Sequence, residues 1–325
     1  MAQMKRKWKR TLLALTALVL FVFLNNTSYF SKDEAESRLL AHRGAGQTFS
    51  MEGITNETCT AERIYPPEHE FLENTIPSMK AAFSAGADIV ELDIHPTKDG
   101  KFAVFHDWTL DCRTNGTGVT RDHTMEELKA LDVGYGYTAD NGKTYPFRGK
   151  GEGLMPSLDE VLEEFPDKQL LIHIKSNDHD EGKLLADYLR TVDGLEYISV
   201  YGGDEPIASL LKELPEVRAM SKATLKSCLL PYMAIGWTGF IPEACNNTQL
   251  HVPEKIAPFM WGWPGKFVSR MESTGTRVVL VAGDGGFSEG FDSREDIKRI
   301  PKKFSGWVWT NRIDKVGDER HLEDK

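Results

Sequence analysis

The chain has 325 residues, of which 40% are hydrophobic and 27% charged, and its net charge is −10. This composition excludes a disordered chain, a collagen-like fibre and a protein with many membrane spans, while the length admits one large domain or two modest ones. The first thirty residues hold five cations and no acid, so the remaining body carries a net charge of −15. Such an acidic body argues against nucleic-acid binding, although it is compatible with a phosphate substrate that a bound cation neutralises.

The first predicted element is a basic segment, residues 1–10, followed by the uncharged stretch Thr11–Leu24. This stretch is shorter than the ~20 residues that a spanning helix needs and suits the apolar region of a secretory signal. No clear A-x-A cleavage motif follows, so an uncleaved anchor and a cleaved signal both remain open. Residues 1–37 are therefore predicted to be a signal-anchor and linker. The basic flank predicts an exported body, either membrane-anchored or periplasmic or extracellular after cleavage.

After residue 37 the chain alternates predicted strands and helices, with a long irregular region at about residues 107–155. The predicted strands are Arg38–Ala45, Asp88–His95, Lys101–His106, Leu170–Lys175, Tyr197–Tyr201, Val217–Ser221, Thr238–Ile241, Arg277–Ala282 and Gly306–Thr310. The predicted helices are Glu73–Ala85, Met125–Leu131, Ser157–Glu164, Gly182–Val192, Glu205–Leu214, Ile256–Ser273 with two proline interruptions, and Arg294–Ile300.

Repeated strand-then-helix units predict an α/β fold with a parallel sheet. About eight such strands in this length favour a (β/α)₈ TIM barrel over an open sheet. The predicted barrel domain is 38–325, and the irregular region is an insertion after the second barrel region. No G-x-G-x-x-G motif follows the first strand, which weakens a dinucleotide-binding alternative.

Four cysteines form an even set in a chain that is predicted to be exported, so disulfides are permitted. Three pairings exist, and we favour Cys59–Cys112 with Cys228–Cys245. The second pair closes a short loop, and the first would tie together two segments that border the predicted site. Four reduced, buried thiols are the alternative.

Charged and imidazole side chains stand at the strand ends where a barrel carries its active site. Glu91 and Asp93 are two positions apart on one strand, so their side chains point to the same face. Neighbouring carboxylates repel each other and are costly to bury, which indicates a bound cation or a catalytic use. Further strand ends carry His42, His106 and His173.

Several of these residues belong to an ordered set of short motifs. The motifs are His42-Arg43-Gly44, Glu73-Asn74-Thr75, Gly86-Ala87-Asp88, Glu91-Leu92-Asp93, Asp99-Gly100 and His106-Asp107. Together they resemble the glycerophosphodiester phosphodiesterase family of phospholipase C-like TIM barrels, and the similarity continues through 153–162 and the I-x-I-K strand. The resemblance implies metal-dependent hydrolysis of a glycerophosphodiester to an alcohol and glycerol 3-phosphate.

The resemblance also implies a role for individual residues. His42 and His106 match the family's general acid–base pair, which takes a proton from the attacking oxygen and gives one to the leaving alcohol. Arg43 and Lys175 match positions that face the substrate phosphate. The sequence leaves open the head-group alcohol and whether a glycerol hydroxyl or a water attacks first.

One divalent cation is implied, with Glu91 and Asp93 matching the family's metal ligands. His173 stands where the third ligand is normally a glutamate, and we expect it at or near the metal or, alternatively, against the phosphate. The resemblance implies Mg²⁺ or Ca²⁺, while the imidazole would also suit Mn²⁺ or Zn²⁺.

Glu73 and Trp309 have two interpretations each, and one long segment has a predicted role. Glu73 either supports the site or suits the positive end of a helix. Trp309 shares a strand face with Trp307 and either contacts the organic group of the substrate or packs in the core. The long segment between His42 and Glu73 is predicted to be a lid or rim loop.

The expected partner is a small-molecule or lipid-derived phosphodiester, with the membrane reached through the N-terminal segment and no nucleic acid. Two alternatives stay open. One is a phospholipase C- or D-like enzyme that acts on membrane lipid or lysolipid. The other is a catalytically degenerate binding protein on the same barrel.

Overall fold

The structure, a computed structural model, describes residues 2–29, 36–55, 58–286 and 289–317. It begins with helix α1 (Ala2–Asn26), whose described side chains are exposed along almost its whole length. This helix is longer than the uncharged stretch Thr11–Leu24 because the basic residues before it are also helical. Part of the predicted linker up to residue 37, and the end of the predicted barrel domain at residue 325, lie outside the described residues.

The body is built on one sheet, whose strands pair along most of their length. The strands are β1 (Arg38–Ala41), β2 (Ile89–Pro96), β3 (Phe102–Val104), β4 (Gln169–Ile174), β5 (Ile198–Gly202), β6 (Arg218–Met220), β7 (Gln249–Pro253), β8 (Arg277–Val281) and β9 (Trp307–Thr310).

Eight of these strands are parallel and form a ring in the order β6, β5, β4, β2, β1, β9, β8, β7. An isolated parallel bridge between Ala219 and Thr248 joins β6 to the start of β7. The nearly closed ring confirms the predicted TIM barrel. β3 lies off the ring and pairs antiparallel with β2.

Helices cover the outside of the ring. After α1 they are α2 (Ile76–Ser84), α3 (Met125–Lys129), α4 (Leu158–Glu164), α5 (His179–Leu189), α6 (Asp204–Glu213), α7 (Lys222–Ile235), α8 (Gly265–Glu272), α9 (Arg294–Ile297) and α10 (Ile313–Val316). Thr75, Ser157 and Ser221 begin α2, α4 and α7 with capping boxes, in which side-chain oxygens satisfy amide groups of the first turn.

Two insertions form a second apolar cluster beside the barrel. Residues 46–72 follow β1 and residues 105–155 follow β3, and buried side chains from both meet, among them Ile64, Phe105 and Tyr137. The Cys59–Cys112 disulfide joins the two insertions, and Cys228–Cys245 joins α7 to the segment before β7. The insertions therefore form one unit that is anchored at the ends of β1 and β3.

Two elements differ from the sequence prediction. The predicted strand Thr238–Ile241 is wrong, because the seventh barrel strand is Gln249–Pro253. Its polar residues Gln249 and His251 face partners inside the barrel, which hides the apolar pattern of a buried strand. The predicted helix Ile256–Ser273 shrinks to α8, since two prolines interrupt its first half.

Candidate functional site

The candidate site lies at the carboxyl ends of the parallel strands. His42 and Arg43 follow β1, Glu91 and Asp93 lie on β2, and His173 lies on β4 directly opposite Asp93. Because strand ends converge at one end of a barrel, residues that are far apart in the chain reach one cluster. His106 and Lys175, just after β3 and β4, complete the set.

Glu91 is fully buried, and each of its two carboxyl oxygens accepts a hydrogen bond. Its Oε1 accepts from the Tyr201 hydroxyl at 2.7 Å, and its Oε2 accepts from the Arg43 backbone N–H at 3.0 Å. Burial and the neighbouring Asp93 carboxylate raise the pKa of Glu91 to about 8. The Glu91 carboxyl is therefore mostly protonated at neutral pH unless a bound cation stabilises its ionised form.

Asp93 is also fully buried and is held on both oxygens. Asn74 Nδ2 donates to Oδ2 at 2.9 Å, and His173 Nδ1 lies 2.8 Å from Oδ1. Lys175 Nζ is 3.4 Å from Oδ1, and Arg43 Nε is 3.1 Å from Oδ2. Burial alone would raise the pKa of Asp93, but the charges of Lys175 and Arg43 hold it well below its usual range.

Among the described residues, one set of side chains is placed to bind a divalent cation. Glu91, Asp93 and His173 each offer a ligand atom, and these three atoms lie within 4.8 Å of one another. The His173 ring stacks on Tyr201 at a centroid distance of 4.1 Å, which fixes its orientation. Burial lowers the pKa of His173 to about 4, so the ring is neutral, as metal ligation requires. Two carboxyl groups and one neutral imidazole at this spacing therefore fit the cation that the sequence predicts.

His42 is held by a neutral partner. Its Nδ1 lies 2.6 Å from Asn311 Oδ1, and the Asn311 amide nitrogen donates to Asp292 at 3.0 Å. Since Asn311 turns its NH₂ group to Asp292, its oxygen faces the ring and Nδ1 of His42 carries the proton. Burial and the nearby Arg43 charge lower the pKa of His42 well below its usual range. The unprotonated Nε2 lies 3.8 Å from Glu91 Oε2.

His106 is held by a charged partner. Its Nδ1 lies 2.6 Å from Asp107 Oδ1, and Asp107 Oδ2 accepts from Arg113 Nε at 2.9 Å. Burial and Arg43 lower the pKa of His106, while Asp107 opposes that shift. Although burial acts in the other direction, Arg113 keeps the pKa of Asp107 well below its usual range, so the carboxylate is ionised.

Arg43 and Glu73 link the two histidine systems. Arg43 NH1 donates to Glu73 Oε1 at 3.0 Å, and Arg113 NH1 lies 3.3 Å from Glu73 Oε2. Glu73 precedes the Thr75 cap of α2, so the predicted start of this helix at Glu73 is wrong. The carboxylate instead bridges two buried guanidinium groups.

Trp309 forms the floor beneath the histidines. Its ring lies 4.8 Å from His42 and 5.4 Å from His251, and the side chain is only 2% exposed. Trp307, two residues earlier, stacks on Arg38 deeper in the barrel. Both tryptophans therefore point into the interior of the barrel, which favours the packing interpretation.

Sequence reasoning missed several residues that hold the site. Tyr201 could have been found because it ends a predicted strand, and the structure places it opposite His173 in the sheet. Arg113 and Asn311 gave no comparable signal, because their roles depend on contacts between distant loops. Arg312 follows Asn311 and, with Gln47 and Tyr65, lines a cavity in the segment that was predicted to be a rim loop.

The chain is similar to one family of known proteins. The model of the glycerophosphoryl diester phosphodiesterase family matches residues 42–223, more than half of the chain. A glycerophosphodiester phosphodiesterase of Caldanaerobacter subterraneus is 44% identical over 103 residues, covering 32% of this chain and 39% of that protein. A lysophospholipase D of Rattus norvegicus is 30% identical over 196 residues, covering 58% of this chain and 59% of that protein. The chain thus spans less than two thirds of the length of these relatives.

Solved structures show the same fold at low sequence identity. A glycerophosphodiester phosphodiesterase from Agrobacterium tumefaciens has a TM-score of 0.58 and 22% identity, over 87% of this chain and 100% of that chain. A phosphodiesterase from Oleispira antarctica, solved with its product sn-glycerol-3-phosphate, has a TM-score of 0.54 and 17% identity, over 89% and 97%.

Proposed function

Since the chain belongs to the glycerophosphoryl diester phosphodiesterase family, we propose that it hydrolyses a glycerophosphodiester to glycerol 3-phosphate and an alcohol. The observation that carries this proposal is the pair of differently supported histidines beside a buried carboxylate cluster. His42 has a neutral amide partner, and His106 has an ionised carboxylate partner. Two imidazoles that differ in this way suit the two halves of general acid–base catalysis.

In this proposal His42 is the base. Its protonated Nδ1 faces Asn311, which leaves the lone pair of Nε2 to take a proton from the attacking oxygen. His106 is the acid, because the Asp107 carboxylate stabilises its protonated form. As the phosphorus–oxygen bond to the leaving alcohol breaks, His106 donates a proton to that oxygen.

Arg43 and Lys175 are proposed to hold the substrate phosphate. Among the described residues, Arg43 Nε is buried and makes no hydrogen bond, although it lies near Asp93. Its guanidinium can donate to two phosphate oxygens at once, whereas the Lys175 ammonium acts as a point charge. Glu73 and Asp93 keep the Arg43 side chain in position before substrate arrives.

Glu91, Asp93 and His173 are proposed to hold one divalent cation. When bound, such a cation stabilises negative charge that develops on the phosphate oxygens. Two carboxylates and one imidazole suit a transition metal such as Mn²⁺ better than they suit Ca²⁺, which prefers oxygen ligands throughout. The two carboxylates alone would still admit Mg²⁺.

The test is turnover of glycerophosphocholine by the purified full chain, followed as release of glycerol 3-phosphate. His42→Ala and His106→Ala should each lower the rate by roughly 10²–10⁴, and chelation should abolish it. His179→Ala removes an exposed imidazole whose ion-pair partner is Asp180, outside the cluster, and should leave the rate unchanged. Near-wild-type turnover in both His42→Ala and His106→Ala would contradict the proposal.

A lysophospholipase D activity is the second candidate. It is favoured by the rat relative and by α1, in which residues 3–26 are long and apolar enough to cross a membrane. We propose that α1 anchors an exported barrel to the membrane, where lysolipid is present. Comparing kcat/KM for lysophosphatidylcholine in vesicles and for soluble glycerophosphocholine separates the two candidates, and extraction of membranes with alkaline carbonate tests the anchor.

A further inference from the structure

The end of α1 is attached to the barrel by polar contacts. Asn26 Nδ2 donates to the carbonyl oxygen of Trp237 at 2.7 Å, and the buried Arg270 of α8 donates to Asn26 Oδ1 at 3.0 Å. Two residues further along, Ser28 donates to the carbonyl oxygen of Gly262 at 3.0 Å. These hydrogen bonds fix the place on the barrel where α1 departs.

Two uncharged segments of the barrel, residues 227–242 and 256–265, surround that place. They touch each other, because the Tyr232 hydroxyl donates to the Trp261 carbonyl at 2.6 Å and Trp261 Nε1 donates to the Met233 carbonyl at 2.8 Å. Their exposed apolar side chains form a patch that we call the flank surface: Leu230, Met233, Ile235, Phe240, Ile256 and Phe259.

The flank surface concentrates nearly all the exposed aliphatic and phenylalanine side chains of the barrel. In the described part of the chain after residue 36, Met51 and Leu184 are the other exposed Leu, Ile, Met or Phe side chains. Phe240 is 57% exposed and Phe259 is 70% exposed. A monomer in water rarely gathers such side chains in one patch, so the patch indicates a partner.

We propose that the flank surface is embedded in the same lipid bilayer that α1 enters, and that it holds the barrel against the membrane. This inference rests on the proposed anchoring by α1 and is independent of the hydrolysis. The hydrogen bonds that the Trp237 and Gly262 carbonyls accept place the end of α1 beside the patch, so a bilayer that contains α1 meets these side chains directly.

The composition of the two segments fits the boundary between lipid and water. Trp237, Trp261 and Trp263 are partly exposed within them, and indole rings favour the head-group level. Lys255 and Lys266 border the second segment on both sides, where ammonium groups can reach anionic head groups. A second copy of this chain would explain the apolar patch but not its position around a helix that can span a membrane.

The test uses the full chain in vesicles of phosphatidylcholine and phosphatidylglycerol that contain a phospholipid with a photoreactive diazirine on its acyl chain. After irradiation, mass spectrometry locates the labelled peptides. We expect label on α1 and on residues 229–240 and 256–263. The triple variant Leu230→Ser, Phe240→Ser, Phe259→Ser should lower flank labelling at least about tenfold while α1 labelling persists.

The matched control is Met51→Ser with Leu184→Ser, which removes exposed apolar side chains elsewhere and should leave the labelling unchanged. Label confined to α1 in the unmodified chain would overturn the proposal. Flank labelling that disappears when the number of copies per vesicle rises would assign the surface to a second copy and also overturn it. Label on neither α1 nor the flank would refute the anchoring as well, whereas turnover of glycerophosphocholine in the same sample reports separately on the hydrolysis.

Discussion

His42 Nδ1 lies 2.6 Å from Oδ1 of Asn311, so a neutral amide, itself fixed by Asp292, determines which nitrogen of the ring is protonated. A carboxylate at position 311 would instead stabilise the charged imidazolium. The amide therefore supports the ring without making it more basic. This keeps His42 in the neutral form that a base requires.

Replacing Asn311 with alanine should lower kcat by roughly tenfold or more, because the His42 ring loses the partner that sets its tautomer and orientation. KM should change little, since Asn311 does not belong to the proposed phosphate contacts. Steady-state kinetics on glycerophosphocholine provide the measurement. The exposed Asn246→Ala is the control, and an unchanged kcat for Asn311→Ala would contradict the proposed support of His42.

Asp107→Asn should shift the alkaline limb of the pH–rate profile to lower pH. The proposed acid His106 must be protonated to act, and the Asp107 carboxylate raises its pKa. Without that charge the pKa of His106 falls, so the acid loses its proton at a lower pH and activity declines earlier. The profile of kcat/KM against pH measures the shift. Asp167→Asn, at an exposed position, should leave both limbs in place, and a fixed alkaline limb in Asp107→Asn would assign the acid elsewhere.

Binding of a divalent cation at neutral pH should release a proton from the site. Burial and Asp93 raise the pKa of Glu91 to about 8, so the carboxyl is mostly protonated at pH 7 in the metal-free site. A ligand must be ionised, so affinity should rise with pH and level off above about pH 8. Calorimetric titration in buffers of different ionisation enthalpy counts the released proton. Glu91→Gln should abolish the release, and an affinity that does not depend on pH would show that Glu91 is not a ligand.

His173→Glu should strengthen Ca²⁺ binding by roughly tenfold or more, because it adds an anionic oxygen donor beside Glu91 and Asp93. His173→Ala should weaken the binding of every divalent cation. Titration calorimetry measures both changes. If His173→Glu leaves metal affinity unchanged but removes turnover, His173 contacts the phosphate. If His173→Ala alters neither affinity nor rate, the residue only packs on Tyr201.

The Cys59–Cys112 disulfide should matter for catalysis as well as stability. It closes a loop with a sequence separation of 53, which corresponds to about 4 kcal/mol of unfolding free energy in the chain-entropy model. The neighbouring residues Thr60 and Arg113 are hydrogen-bonded at 2.5 Å, and Arg113 also holds the Asp107 partner of His106. Replacing both cysteines with serine should therefore lower both the unfolding free energy and kcat.

The second disulfide supplies the control for that experiment. Cys228→Ser with Cys245→Ser should cost about 3 kcal/mol of unfolding free energy and leave kcat unchanged, because Cys245 lies before the amino end of β7 and the histidines lie at the carboxyl ends of the strands. Denaturant unfolding and steady-state kinetics compare the two double variants. Equal kcat values in both would contradict the proposed link from the first disulfide to His106.

The barrel and the cluster at its strand ends could be predicted from the sequence. Glu91 and Asp93 share a face because strand side chains alternate, and strand ends converge in any parallel barrel. The same logic extends to Tyr201 as the last residue of the predicted strand Tyr197–Tyr201, but its position opposite His173 depends on the sheet register. Register between strands is a tertiary property, however, and the sequence alone does not assign it.

The supports of the two histidines could not be predicted in the same way. Arg113 reaches Asp107 and Glu73 because two insertions fold against each other, and no spacing in the chain encodes that contact. β7 was missed for a related reason. Its Gln249 and His251 are polar residues that face the barrel interior, so the strand lacks the apolar run that marks its neighbours.

The barrel has the fewest backbone pairings between β6 and β7, and the Cys228–Cys245 disulfide connects the elements on either side of that gap. Between β6 and β7 the backbone contributes the single bridge Ala219–Thr248, whereas the other neighbouring parallel strands pair along a longer register. Cys228 belongs to the helix after β6, and Cys245 stands just before β7. The disulfide therefore limits how far β6 and β7 can separate. Half of the flank surface, Leu230, Met233 and Ile235, lies on the same helix, so a bilayer against it would also limit the separation of β6 and β7.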